Sequence, residues 1–506
     1  MLTRLLAIWL GLLPTLFCSY SYSQTLHSPV NTALGGGGSV YTTGPGALFI
    51  NPANLYIQER EYRLQAILMS GGLSTASPLR QTGYAAQLER YLERNYWFQP
   101  GSETPFSDPE QLLARNYPSE RPWSEHHQQA DMLWFGMHWQ GSDRSYAVAM
   151  RSRFGSRYLV GRGYYDLDFL ENNGRQERDR THIHQMQSLH ELSFGYAESF
   201  TFFNSLMPQL SQLIIGVAPK IVVSGAYLDS RLESSVQSVS NQSPFTEQRS
   251  FRHYSTGSYS DITSRQIHFS EVSNPIHPLQ KYDSLVQPTG YGAGLDFGLT
   301  YLITLGDDLS VIRYDQETTR KSLRVSLAIT DVGFINYTKR PLYLRTEPLE
   351  VDHEEEPSLS DWIYEGQPGE HALFLHDQAG DPYSSIDEKK DENFKVLLPT
   401  AVHAGALFQI NRVKMMGDFS LGFSDNAFNT TRFITYLGIE VRPLSFLPLR
   451  AGTRLAHRLP HYYSFGAGLE TRYFDLDAGI QLRTRSIGPT QELAAFSAMA
   501  LRVYIR

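Results

Sequence analysis

The sequence predicts an all-β chain: a transmembrane antiparallel β-barrel whose segments count to roughly 14 to 16 strands, with a plug at its N-terminus and long extracellular loops. Three observations predict it. Segment after segment alternates with period two, one face apolar and nearly free of charge, the other polar or glycine. Tight connections alternate with long ones, the pattern of periplasmic turns and extracellular loops. The 506-residue chain has 12% aromatic residues, including 30 Tyr, yet no run after its first residues has the roughly 18 apolar positions of a membrane helix.

Residues 1–23 have the parts of a secretory signal. Arg4 supplies the positive start, Leu5–Phe17 is an apolar core, and Ser21 and Ser23 are small residues spaced for cleavage before Gln24. The single cysteine, Cys18, falls inside this segment behind Phe17, a residue too bulky for a lipoprotein signal. The mature chain is therefore expected to have no disulfide, thiolate metal site or cysteine nucleophile. A net charge of −8 gives no basic footprint for nucleic acid.

Residues 24–60 form the expected plug. Gly35, Gly36, Gly37 and Gly38, then Gly44, Pro45 and Gly46, allow tight turns and close backbone approach. Asn51 is a good N-cap and Pro52 suits the first position of a helical turn, with Ala53 and Asn54 completing it. From these residues alone an ordinary N-terminal loop is the other reading. The order Gly-rich run, small residues, then Phe49-x-Asn51-Pro52-Ala53-Asn54-Leu55 resembles the mature N-terminus of FadL-type outer-membrane barrels, importers of hydrophobic compounds, and more loosely that of the type IX secretion barrel. Ile329–Ile335 (ITDVGFI) and Leu398-Pro399-Thr400 are similar to phrases in barrels of the same broad group. The resemblance implies a barrel of about 14 strands, in a range of roughly 12–16, and that the plug is a lumenal hatch gated at these glycines and at Asn51–Asn54. It also implies Leu48, Phe49, Ile50 and Leu55 as contacts for a hydrophobic ligand.

Residues 61–506 are expected to make the barrel. Tyr62–Ser70 is strand-like. In 132–140, Leu133, Phe135, Met137 and Trp139 oppose Trp134, Gly136, His138 and Gln140. In 292–303, Ala293, Leu295, Phe297, Leu299, Tyr301 and Ile303 oppose Gly292, Gly294, Asp296, Gly298 and Thr300. Segments 322–329, 401–410, 433–442, 449–456 and 463–470 repeat the alternation. In 473–483, Phe474, Leu476, Ala478, Ile480 and Leu482 oppose Tyr473, Asp475, Asp477, Gly479, Gln481 and Arg483. The last strand, Leu493–Arg506, has the apolar stripe of an outer-membrane assembly signal but ends on Arg506 in place of an aromatic. Gly141–Arg144, Ile410–Val413 and Glu470–Tyr473 read as tight turns; loops are expected near 90–130, 154–185, 226–262 and 338–398.

The wet faces place Asp296, Arg324, Glu440, Arg442, Arg450, Arg454, Asp475, Asp477 and Arg483 in the lumen. Charges of both signs suit either cross-strand ion pairs or a water-filled path, and the near-equal numbers favour ion pairs. His126-His127, His182 with His184, and His371 with His376 lack the further ligands of a metal site. The acidic run 347–365 has no EF-hand spacing and reads as a solvated loop. No nucleophile elbow, zinc-protease or phosphate-loop motif is present, so the expectation is a non-enzyme without cofactor. The expected partners are outer-membrane lipid and a small hydrophobic ligand passing a hatch-gated lumen. A surface scaffold holding a protein partner, or a filled structural barrel, are the alternatives.

Overall fold

The computed structural model describes residues 28–57, 62–76, 123–141, 143–161, 170–172, 175–179, 181–200, 211–239, 242–257, 259–260, 287–305, 321–345, 349–353, 387–455, 461–484 and 491–505. The signal 1–23, most of the loop expected near 90–130 and the pair His371/His376 lie outside them.

Among these residues the strands run β1 (Leu64–Ala76), β2 (Trp123–Gln140), β3 (Arg144–Gly161), β4 (Leu170–Asn172), β5 (Arg175–Asp179), β6 (His182–Phe200) and β7 (Ser211–Val239). Then come β8 (Gln242–Ser255), β9 (Gly290–Thr304), β10 (Lys321–Tyr337), β11 (Leu342–Arg345), β12 (Leu349–His353), β13 (Asp387–Lys390) and β14 (Phe394–Leu397). The last are β15 (Ala401–Ile410), β16 (Val413–Gly422), β17 (Ile434–Leu444), β18 (Leu447–Leu455), β19 (Tyr462–Glu470), β20 (Phe474–Thr484) and β21 (Gln491–Ile505).

Each neighbour pairs antiparallel in the order β1, β2, β3, β6, β7, β9, β10, then β15 to β21. The last strand returns to the first, from Leu64↔Ile505 to Ser74↔Ala495, closing a barrel of 14 strands. An even number is what antiparallel closure requires, and closure leaves no unpaired edge in the wall.

The alternation follows from the two solvents. On β9, Tyr291, Leu295 and Phe297 are exposed outward while Asp296 and Thr300 are buried inward. On β20, Phe474, Leu476 and Ile480 face out and Asp475, Asp477 and Gln481 face in. Exposed Leu68, Leu327, Leu449 and Phe465 continue the outer apolar band on other strands. A belt of this extent is stable against lipid tails and not against water. Trp139, Tyr146, Phe200, Phe446 and Tyr473 are exposed at the short-turn rim, where interfacial aromatics belong. The protein is an outer-membrane β-barrel.

Two bulges correct the sequence reading. Between Leu133 and Phe135 the β2–β3 register slips by one, so Leu133 turns inward and is buried while Trp134 joins Phe135 outside. On β10 the register slips between Ile329 and Val332, and Asp331 adopts φ 59°, a left-handed conformation that Asp tolerates better than most residues. That bulge sits inside ITDVGFI and turns Thr330 and Asp331 both toward the lumen, where they are buried. Tyr473, assigned to the wet face of 473–483, lies in the turn before β20 and is exposed.

The tight turns share one rim: Gly141 N donates to Arg144 O at 2.8 Å, and Asn411 takes φ 50° between β15 and β16. At the other rim the segments expected as loops near 154–185, 226–262 and 338–398 contain much sheet. β7 runs for 29 residues, far beyond the 9–11 that cross a bilayer, and carries β8 and β5 on its extension. β8 in turn pairs with β11 and β12, β11 with β13, and β14 lies on the top of β10. Short polar strands of this kind lack strong periodicity in sequence, because neither face is buried in lipid.

Candidate functional site

The lumen is occupied by the protein's own N-terminal segment, residues 28–57. Ser28 caps helix α1 (Pro29–Ala33), and 3-10 turns follow at Gly44–Phe49 and Pro52–Tyr56. Asn51 caps the second turn, its Oδ1 accepting from Ala53 N at 3.2 Å, with Pro52 at the first position. Such short turns are marginal alone and are held by what surrounds them.

The surrounding wall is shaped for them by glycine. A methyl group added at Gly216 would strike the backbone of Pro52 and Ala53, and one at Gly298 the Asn51 side chain. Gly136 faces Pro45, Gly195 faces Leu48 and Leu55, Gly438 and Gly452 face Leu34, and Gly466 faces Ala33. These are the glycines of the wet faces, and their purpose is steric: each strand gives up a side chain where the segment lies against it.

Polar contacts complete the fit. The Asp418 carboxylate accepts from Gly38 N at 2.8 Å, Ser39 N at 2.7 Å and Ser39 Oγ at 2.9 Å. Ser39 Oγ also lies 2.9 Å from Ser326 Oγ. Asn51 and Asn54 both donate to Ser39 O, at 2.7 and 2.8 Å, and both bond the Thr300 hydroxyl of the wall. Tyr41 donates its hydroxyl proton to Glu440, and Gln481 donates to Thr32 O at 3.0 Å. Among the described residues, the segment forms no strand and joins none of the pairings of the wall. Asp418→Ala should therefore loosen the Gly38–Ser39 turn, leaving two buried N–H groups without an acceptor at about 1–3 kcal/mol each. Chymotrypsin cleavage at Tyr41 or Phe49, with the folded barrel still migrating as such in an unheated gel, is the expected readout.

Two ion-pair systems cross the wall around the segment. Near the short-turn rim Arg450 reaches Glu440 at 2.7 Å, Asp477 at 2.6 Å and Glu470 at 3.0 Å, and Arg442 bonds Glu440 and Glu470 at 2.9 and 2.7 Å. Toward the long-loop rim, Lys220 pairs with Asp296 at 2.8 Å and Asp331 at 2.5 Å. Arg153 links Asp331, 2.8 Å away, to Glu191 at 2.6 Å, and Arg151 joins Glu191 at 2.6 Å.

Of the residues picked from sequence, Asp296, Glu440, Arg442, Arg450 and Asp477 belong to these systems. Asp475 instead accepts from Tyr504 at 2.5 Å, and Arg454 stacks on Tyr462 at 3.7 Å. Arg324 is buried in the wall, and the Arg483 side chain lies outside the described ones. Leu48, Phe49 and Leu55 pack in one cluster with wall residues Ala147, Ala149, Ala197 and Ile214, and Ile50 is buried as well. Sequence reasoning passed over Asp418, Ser39, Lys220, Arg151, Arg153, Glu191 and Asp331. Asp418 was findable, since Lys414, Met416, Asp418 and Ser420 alternate with Met415, Gly417 and Phe419.

Above Phe49 lies a cavity of about 40 Å³. Arg151 stacks on the Phe49 ring at 4.3 Å and Arg153 on the Phe428 ring at 4.8 Å, so the two aromatics close it from the N-terminal segment and from the β16–β17 connection. Asp131, Asp331, Thr330 and His403 are also in its wall. Of the four apolar residues proposed as ligand contacts, Phe49 is the one that lines it. Among the described residues no group of three His, Asp or Glu is placed to hold a metal ion.

A family model matches residues 83–475, most of the chain; its description is a family of unknown function, DUF5723. The chain belongs to the DUF5723 family. Comparison of this DUF5723 member with curated proteins finds no match. Among solved structures it is similar to a deletion mutant of the monoaromatic hydrocarbon channel TodX, at 13% identity and TM-score 0.44, covering 95% of this chain and 98% of that one. It is also similar to the P. putida toluene transporter TodX, at 12% identity and TM-score 0.38 over 94% and 96% of the two chains. For the monoaromatic hydrocarbon channel CymD the figures are 11%, 0.38, 94% and 97%.

Proposed function

We propose that this DUF5723 barrel is a passage for small molecules across the outer membrane, hydrophobic ones among them, and that residues 28–57 are its gate. The observation that carries the reading is how the segment is held. It fills the lumen through side-chain hydrogen bonds and close contacts on glycine, not through strand pairing, so each attachment can be exchanged for water without breaking the wall. A solute would be taken up at the long-loop rim, where Tyr227, Tyr337 and Phe394 stand with ring centroids 4.7–5.8 Å apart and Tyr254 and Phe394 are partly buried. It would reach Phe49 and leave when the segment swings. Gly44, at φ 65° where the first 3-10 turn begins, is the hinge of that movement.

A reversible tether tests the gate. Ser39 and Ser326 present hydroxyl oxygens 2.9 Å apart, so cysteines in their places stand within reach of an S–S bond of about 2.05 Å. Cys18 is the single native cysteine and falls in the expected signal, so the pair would be alone in the mature chain. In liposomes, the oxidised S39C/S326C protein should lose flux of every solute the wild type passes, and dithiothreitol should restore it. Undiminished flux through the fully oxidised protein would refute gating by this segment.

A further inference from the structure

A second piece of chain crosses the lumen above Phe49. Residues 424–432 connect β16 to β17, the ninth and tenth strands of the wall, and do not stay on that side. Phe428 O accepts from Gln129 Nε2 of β2 at 3.0 Å, Asp425 O accepts from Gln185 Nε2 of β6 at 3.4 Å, and Arg432 stands 3.6 Å from Glu125 of β2. A methyl group added at Gly155 of β3 would strike Ala427 O and the Phe428 ring. These are the second to fourth strands, about half-way round the ring. Gly155 is to this connection what Gly216 is to Pro52: a side chain given up on the inner wall so that backbone can lie against it.

The connection is built as one body. Asn426 Oδ1 accepts from Phe428 N at 2.8 Å and Asn429 N at 2.9 Å, and Asp425 Oδ1 accepts from Thr431 N at 2.8 Å. Its near end rests on Leu398-Pro399-Thr400, the phrase singled out in the sequence. Asn429 Nδ2 donates to the Pro399 and Thr400 carbonyls, and Thr400 Oγ1 donates to Asp331 O of the β10 bulge at 2.7 Å. Ala427 and Phe428 are buried, packed with Leu189, Tyr227, Tyr337 and Leu398.

We propose that residues 424–432 are a size filter, a bar between the rim aromatics Tyr227 and Tyr337 and the ring of Phe49. The space left between Phe428 and Phe49 is about 40 Å³, room for waters and not for an aromatic ring. A ring-sized solute therefore reaches Phe49 only when the bar lifts. The bar has nine residues against the thirty of 28–57, so it crosses the lumen without filling it, and water and ions pass beside it. Its far end is held by amide side chains and an ion pair, contacts that exchange for water without disturbing any strand pairing. Its near end stays on the wall it belongs to, so lifting is a rotation about Asn429 and Pro399. The filter rests on the passage reading for its route and needs no movement of residues 28–57.

Thiol labelling from outside tests the filter. Thr330 lines the space under the bar, and with Cys18 in the expected signal Thr330→Cys gives the mature chain a single thiol there. On intact cells methyl methanethiosulfonate should label it, and fluorescein maleimide should be slower by about tenfold or more, since the larger reagent reacts only from molecules with the bar lifted. Adding Gly155→Leu, which pushes Ala427 off the wall, should raise the fluorescein rate by a similar factor and leave that of the small reagent little changed. Should Gly155→Leu fail to give a heat-modifiable barrel, Gln129→Ala with Phe428→Ala removes a far-end bond and the ring over the cavity, and should show the same gain. Fluorescein rates equal with and without the bar displaced, whether fast or slow, would overturn the filter, as would no labelling of any variant by either reagent. A fluorescein gain together with undiminished flux through oxidised S39C/S326C would count against gating by residues 28–57 and leave the filter standing. Equal fluorescein rates with flux lost on oxidation would do the reverse.

Discussion

Gly216→Leu is expected to unplug the barrel. The inward face of β7 at this position lies against the backbone of Pro52 and Ala53, and backbone cannot rotate away as a side chain can. Overpacking of a tight interior costs about 1–3 kcal/mol where neighbours can adjust. Here the neighbour that gives is the whole 3-10 turn Pro52–Tyr56, because the wall is fixed by its strand pairing on both sides. Once that turn leaves, Asn51 and Asn54 lose Thr300, and the contact of Leu48 and Leu55 with Gly195 opens. Conductance in planar bilayers should rise by an order of magnitude or more, with the heat-modifiable barrel intact. Gly417→Ala is the matched control: its added methyl would find only the Leu437 side chain, at an ordinary 3.7 Å. Equal, low conductance from both variants would show that the segment is not what blocks the lumen.

Arg450→Met is expected to be the most destabilising single substitution among the lumen charges. Its guanidinium is 2% exposed and serves three carboxylates at once. Glu440 and Glu470 keep Arg442 when it goes, and Glu440 keeps Lys414 at 3.6 Å. Asp477 loses the partner that holds it and stays 4% exposed. Removing one member of a buried ion pair costs about 3–5 kcal/mol, chiefly through the charge left behind. Urea unfolding of the variant in detergent should show a loss of that size. Adding Asp477→Asn should recover a large part, since it removes the stranded charge; no recovery would mean that packing, not electrostatics, sets the cost.

The architecture was legible because lipid and lumen impose opposite demands on alternate residues. The runs 292–303, 322–329 and 401–410 have the facing that their period-two pattern implies, and the tight turns at 141–144, 410–413 and 470–473 share a rim. The bulges were not legible. Leu133-Trp134-Phe135 is apolar at all three positions, so nothing in it marks which residue is extra. At Thr330-Asp331 two polar neighbours interrupt the alternation, a signal that was available. The ion pairs were half legible: the inward charges stood out, but Lys220 meeting both Asp296 and Asp331 depends on register between strands far apart in sequence. The sheet above the rim escaped because its buried face mixes apolar Phe251, Leu342 and Leu344 with polar Glu247 and His253, so burial there leaves no apolar–polar alternation to read.

Because the first strand of the wall seals against the last, the ring stays open until residue 505 is in place. The opening segment, only a few residues ahead of Leu64, is enclosed by early and late strands alike, from Gly136 on β2 to Gly466 on β19. The contacts that seat the beginning of this polypeptide are therefore complete only after its last strands stand in the wall.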